Sequence, residues 1–201
     1  MKLGINSIIS LANSLLGEKV TSLNLADNSL SDYGMHAIKT IIENTAIQHL
    51  NLASNMISGD GLETLVDSIS YHRKLKTLDL GIFKGSIRKN SLGLHGASCI
   101  AAFLIKNSSL KTLILEDNDL GSDGGECFGV ALTQNSSLKH LRITENDLKT
   151  EGSIFIINNS QNLESLDLSK NFITKEAGPA LEKLLMSSNS IQKVKLEYNE
   201  L

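Results

Sequence analysis

The pattern L-x-x-L-x-L-x-x-N-x-L recurs seven times along the chain, and no other feature constrains the fold as strongly. Val20, Leu23, Leu25, Asn28 and Leu30 form the first copy, and Ile47, Leu50, Leu52, Asn55 and Ile57 the second. The third opens with Leu75, Leu78 and Leu80 and resumes at Asn90 and Leu92. Leu110, Leu113, Leu115, Asn118 and Leu120 make the fourth, and Leu138, Leu141, Ile143, Asn146 and Leu148 the fifth. The sixth is Leu163, Leu166, Leu168, Asn171 and Ile173, and the seventh Ile191, Val194, Leu196, Asn199 and Leu201. From Leu23 to Leu50, Leu78, Leu113, Leu141, Leu166 and Val194 the steps are 27, 28, 35, 28, 25 and 28 residues. The residues between one Asn-x-Leu and the next copy carry helical spacing, as in Leu62, Leu65, Val66 and Ile69, or Gly124, Cys127, Val130, Ala131 and Leu132. Each unit therefore reads as a short strand, a loop and a helix.

No such unit can bury its apolar face alone, so the units must stack. The strand leucines then point inward, and the strands run parallel, about 4.8 Å apart. The Asn falls at the inner turn, where its amide can serve backbone groups of neighbouring loops. The core must be aliphatic: 41% of residues are hydrophobic, but only 4% are aromatic and Trp is absent. Residues 1–19 supply a helix without a strand and are expected to cap the first unit, followed by seven repeats of about 28 residues over 20–201. The last strand stops at Leu201, which suggests a piece of a longer protein, a natural short tail, or a strand covered by a partner or second copy. The expectation for the isolated chain is a monomer.

Leu-x-Leu-x-x-Asn-x-Leu, a Gly about six residues after the Asn, and an aliphatic helix ending in Asn-Ser-Ser-Leu together resemble the ribonuclease-inhibitor-like leucine-rich repeats. The likeness covers nearly the whole chain. It implies an α/β fold, a horseshoe-shaped leucine-rich-repeat solenoid with parallel strands on the concave face and helices on the convex face. That subfamily includes ribonuclease inhibitor, Ran GTPase-activating proteins and the sensor regions of NOD-like receptors, and similar arrays occur in secreted effectors of intracellular bacteria. The resemblance implies a protein partner, bound and restrained or scaffolded. It also leaves open a GTPase-activating regulator, or the substrate-recognition part of a larger ligase. The motif residues are structural, so they do not choose among these roles.

Function must then lie in the variable positions. Those between the two strand leucines point outward: Asn24, Asn51, Asp79, Ile114, Arg142, Asp167 and Lys195. Flanking positions add Glu116, His140 and Tyr198 among others. The surface is polar and mixed in sign, and an exposed parallel sheet is unusual unless something covers it. Repeat three carries seven extra residues within Gly81–Lys89. Insertions that keep the repeat phase map to loops, often on the binding face. Ile82, Phe83 and Ile87 are the expected anchors there, with Lys84, Arg88 and Lys89 as a basic rim; the alternative is a loop that folds its apolar residues back onto the solenoid. Repeat five is three residues short, with a helix expected over Gly152–Asn159 in which Phe155, Ile156 and Ile157 fill the core.

Other chemistry is expected to be absent. Net charge is −3, against a nucleic-acid binder, and no apolar run reaches the length of a membrane span. The start, Met1 to Leu16, is interrupted by Asn and Ser and reads as an amphipathic helix rather than a signal peptide. Two cysteines fit a reducing, cytoplasmic compartment, or the host cytosol for a bacterial effector. Cys99 and Cys127 stand where other repeats have Ala37 and Ala180, and are expected to pack in the core without His or acidic partners. No two histidines have H-x-x-x-H spacing, and neither a phosphate-binding loop nor a nucleophile elbow occurs. Asn107-Ser108-Ser109 and Asn135-Ser136-Ser137 match the glycosylation pattern, but turn chemistry explains both. No catalytic residue, cofactor or metal is expected.

Overall fold

The computed structural model describes residues 4–201, so Met1, Lys2 and Leu3 of the expected capping segment lie outside the described residues. Seven three-residue strands form one parallel sheet in sequential order: β1 (Ser22–Asn24), β2 (His49–Asn51), β3 (Thr77–Asp79), β4 (Thr112–Ile114), β5 (His140–Arg142), β6 (Ser165–Asp167) and β7 (Lys193–Lys195). Helix α1 (Ile5–Ser14) precedes β1, and one helix returns the chain between each pair of strands: α2 (Met35–Asn44), α3 (Gly59–Tyr71), α4 (Gly93–Lys106), α5 (Gly121–Gln134), α6 (Lys149–Asn158) and α7 (Gly178–Ser187). Among the described residues, strands pair only with their sequence neighbours, and the α-helices pack on theirs. The chain is an α/β leucine-rich-repeat solenoid, with strands on one face and helices on the other.

The core is the layer between them. Leu50, Leu78, Leu113, Leu141 and Leu166, central in β2 to β6, are buried against Leu62, Leu65, Ile100, Leu104, Phe128, Ile156 and Leu184 of the helices. Leu23 and Val194, in the two edge strands, are only half buried. Ile8 and Ala12 of α1 are buried in the same core.

Short strands supply few hydrogen bonds, and two asparagine systems supply the rest. Asn171 donates to the carbonyls of Ile143 and Leu168 and accepts from the amides of Asn146 and Leu148. Asn146, Asn90 and Asn55 make the same reach to the preceding repeat. At the opposite turns, Asn107 donates to Ile69 and His72, while its carbonyl oxygen accepts from Ser109 and Leu110. Asn135 repeats this toward Leu104 and Asn107. Both are buried, so turn chemistry does account for the Asn-Ser-Ser motifs.

Repeat five differs from expectation. Helix α6 starts at Lys149, immediately after the buried Leu148, and runs ten residues instead of the eight expected from Gly152. Ile156 and Ile157 are buried as expected, but Phe155 faces outward and is 42% exposed. Phe155 lies over Gly129 of α5, where a Cβ would come within 2.8 Å of its backbone. The helices approach so closely that no room for an aromatic ring remains between them.

Candidate functional site

Sheet pairing brings the outward positions into a single row: Asn24, Asn51, Asp79, Ile114, Arg142, Asp167 and Lys195 stand side by side across the seven strands. Ile114, His140, Arg142, Asp167 and Lys195 line one groove of about 240 Å³. Arg142 reaches Glu116 at 2.5 Å, and Lys195 stands 3.6 Å from Asp167. Burial pushes the Glu116 carboxyl above its usual range, with the Arg142 guanidinium pulling the other way. Asp167 is less available than expected. It is 8% exposed, because its carboxylate turns inward to accept from the amide and hydroxyl of Ser169.

Asp79 illustrates the cost of charge in this row. Its carboxylate accepts from the amide of Gly81, as the Asn51 side chain does from Ala53 and that of Asn24 from Ala26. Burial raises its pKa, more than the Gly81 bond and Arg142 lower it. Asp79→Asn keeps the acceptor and removes the buried charge, so it is expected to be the more stable protein at neutral pH. With a folded pKa above the unfolded one, wild-type stability falls as pH rises from about 4 through the folded pKa, a loss the variant lacks. The difference in urea midpoints should open with rising pH and vanish in acid; equal midpoints throughout would show that the site is effectively solvated.

The insertion combines parts of the two expectations, with Phe83 and Ile87 outward and other residues tied to the solenoid. Its polar groups are the ones that fold back. Ser86 and Arg88 both reach Asp27 of repeat one at 2.6 Å, and the amide of Phe83 donates to Ser54 of repeat two. Lys89 bridges Asp117 and Asp119 of repeat four at 3.0 and 2.8 Å. Hydrogen bonding by Asp119 raises the Lys89 pKa, and the same contact lowers that of Asp119. Arg88 and Lys89 are therefore struts and not a basic rim: short carboxylate partners on neighbouring loops outcompete solvent. Ile82 is half buried, whereas Phe83 is 46% and Ile87 96% exposed.

Tyr198 does not stand on the sheet face. It lies in the loop after β7, in the left-handed region with φ 56°, and is exposed. There it lines a cleft of about 280 Å³ with Phe172, Lys170, Glu145 and the carboxylates of Asp117, Asp119 and Asp147. The outward-facing residues thus divide among the sheet row, the insertion and this loop edge.

Sequence reasoning missed Asp27, which anchors the insertion across some sixty positions of chain, and Phe172, which shares the cleft with Tyr198. It also misjudged Cys99. The thiol is half buried at the core's rim, and His95 Nε2 lies 3.9 Å from its sulfur, 3.4 Å from Glu63 and 3.7 Å from Asp60. His95 precedes Cys99 by one helical turn, and α3 brings its first turn alongside. The H-x-x-x-C spacing was the available signal. His49 and His140 are exposed, as expected.

Comparisons with known proteins follow the fold. No curated protein sequence matches the chain. Among solved structures, it is similar to the tropomodulin C-terminal domain of Caenorhabditis elegans, at TM-score 0.54 and 17% identity, over 90% of this chain and 93% of that one. It is also similar to the leiomodin-1 segment named actin-binding site 2, at TM-score 0.56 and 14% identity, over 69% of this chain and 78% of that one. At these identities the likeness is one of fold. A family profile described as leucine-rich repeat matches residues 18–39, 43–66, 106–129, 134–156 and 159–181. These matches cover more than half of the residues and coincide with strand–loop–helix units, and the chain belongs to the leucine-rich-repeat family.

Proposed function

We propose that this chain is a protein-binding module and not an enzyme, and that its partner lies across the sheet row and the repeat-three insertion. Leucine-rich-repeat domains typically serve protein–protein interaction through such extended surfaces. One observation carries the reading. The insertion is tied down by Ser86, Arg88 and Lys89 while Phe83 and Ile87 remain in solvent. A preorganised loop that presents apolar side chains loses little entropy on binding, and such anchors dominate interface energies. The mixed charges of Glu116, Arg142, Asp167 and Lys195 then set orientation and selectivity.

The 27- and 28-residue steps, each returning through a helix, favour the ribonuclease-inhibitor-like class of repeats. Two free cysteines favour a reducing cytosolic compartment, as for effectors of intracellular bacteria acting in a host cell. The test is capture from cytosolic lysate with the intact chain, with purified actin included because the leiomodin neighbour is an actin-binding segment by name. Ile87→Asp and Arg142→Glu are each expected to weaken the captured complex by at least about 30-fold, a hot-spot loss, with unchanged circular dichroism. Removing residues 82–88 should abolish it. A partner held equally by all three variants would sink this reading.

A further inference from the structure

We propose that His72 is a pH-sensitive rung in the ladder of outer turns, and that its protonation in mild acid unfastens the turn joining α3 to β3. This goes beyond partner binding and concerns the frame that carries the binding face.

One position recurs at these turns, three residues before the first apolar residue of the next repeat. Asn107 there accepts from the Leu110 amide, Asn135 from Leu138 and Ser188 from Ile191. At the end of α3 the position holds His72, whose Nδ1 accepts from the Leu75 amide at 3.0 Å. The reach to the preceding repeat is present as well. Asn107 donates to Ile69, Asn135 to Leu104 and Ser188 to Gln161, and the His72 ring bonds the Thr45 backbone carbonyl. His72 therefore does with two ring nitrogens what asparagine does with one amide. The two bonds fix a neutral tautomer with its proton on Nε2.

Asparagine and serine do not titrate near neutral pH, whereas imidazole does. A proton on Nδ1 turns the acceptor into a donor, so two donors face each other and the Leu75 amide loses its partner. Leu75 is fully buried and leads into β3, and the insertion leaves the far end of that strand. The backbone carbonyl of His72 accepts from Asn107 and Ser109 of the next turn. A change at the ring thus bears on the rungs on both sides.

The surroundings favour the neutral ring. Beside it lies a hollow of about 490 Å³, lined by Glu43 from α2, Asp67 and Tyr71 from α3, and Arg73 and Lys74 from the turn. Glu43 accepts from Ser68 and pairs with Lys39, and Asp67 stands in solvent. Burial holds the His72 pKa below the ordinary 6.5, against the pull of the Thr45 carbonyl, and the Lys74 ammonium adds to the lowering. The unfolded chain takes up this proton near pH 6.5, and the folded chain only at lower pH. The rung therefore contributes fully above that value, and its contribution is lost as pH falls through the folded pKa.

Two measurements on the full chain test this. The first compares urea midpoints of the wild type and His72→Asn, which restores the residue of the regular turns, from about pH 8 to about pH 5. Below pH 6.5 the folded-to-unfolded ratio of the wild type should fall relative to the variant by up to about tenfold per pH unit, and the gap should level off below the folded pKa. The second follows the wild type by NMR over the same range and does not require that the variant fold. The Leu75 amide should titrate together with the His72 ring, below pH 6.5, while the Leu110 amide, held by Asn107, stays in place. A His72 ring that titrates at 6.5 or higher, a Leu75 amide unmoved as the ring titrates, or a midpoint gap that is constant with pH overturns the proposal.

Discussion

Asn171→Ala is expected to lower the unfolding free energy by about 3–5 kcal/mol, a large share of the roughly 5–15 kcal/mol that holds a domain together. The side chain is fully buried and joins repeats five and six. Its amide nitrogen serves Ile143 of repeat five and Leu168 of its own repeat, and its oxygen holds the amides of Asn146 and Leu148. Truncation leaves the Ile143 carbonyl and the amides of Asn146 and Leu148 without this partner, at about 1–3 kcal/mol each before water or local relaxation recovers part, while the Leu168 carbonyl still accepts from Asn199. The same substitution at Asn118 is expected to cost less. Asn118 still donates to Leu80 and Glu116, but its own oxygen is buried without a partner. Urea unfolding of the two variants checks both the size and the order. Equal losses, or a loss at Asn171 below about 2 kcal/mol, would mean that solvent replaces the ladder at little cost.

That contrast shows where the fold was legible and where it was not. Periodicity placed all seven strands, because Leu50, Leu78, Leu113, Leu141 and Leu166 each have one side to face and nothing else in the unit can replace them. It placed the asparagines too, since a buried amide between loops admits few other residues. Contacts between repeats that break the period left no such mark. Nothing in Ser86-Ile87-Arg88 announces that Asp27, in the first repeat, will hold the polar residues and turn Ile87 outward. Arg88 looked like a rim cation for the same reason: its partner is remote in sequence. The sheet row was legible as a list, but the inward turn of Asp167 depends on Ser169, and Tyr198 leaves the row because the chain turns left-handed there. Cys99 was read against its repeat equivalents, Ala37 and Ala180, which identified its place in the helix but not its neighbours on α3.

The shortened repeat five yields the second large effect. Gly152→Ala is expected to destabilise the protein by about 2–3 kcal/mol, although alanine is the better helix former by up to about 1 kcal/mol. A Cβ on Gly152 would lie 2.5 Å from the carbonyl oxygen of Ser122, and one on Gly125 would lie 2.6 Å from the carbonyl oxygen of Gly152. These are contacts of backbone against backbone, so no side-chain rotation relieves them. Either α6 moves away from α5, or the sheet register that ties β5 to β6 must stretch. The 25-residue step from Leu141 to Leu166 leaves little slack for the first, because α6 has only ten residues with which to span the layer. Gly178, at the start of α7, has nothing within 4 Å of its would-be Cβ. There the same change meets only the local crowding of an αR residue before Pro179, so it should shift the urea midpoint less than Gly152→Ala does. If Gly152→Ala instead matched Gly178→Ala, the helices would be free to slide apart. The close approach of α5 and α6 would then be a consequence of the short repeat and not a constraint on it.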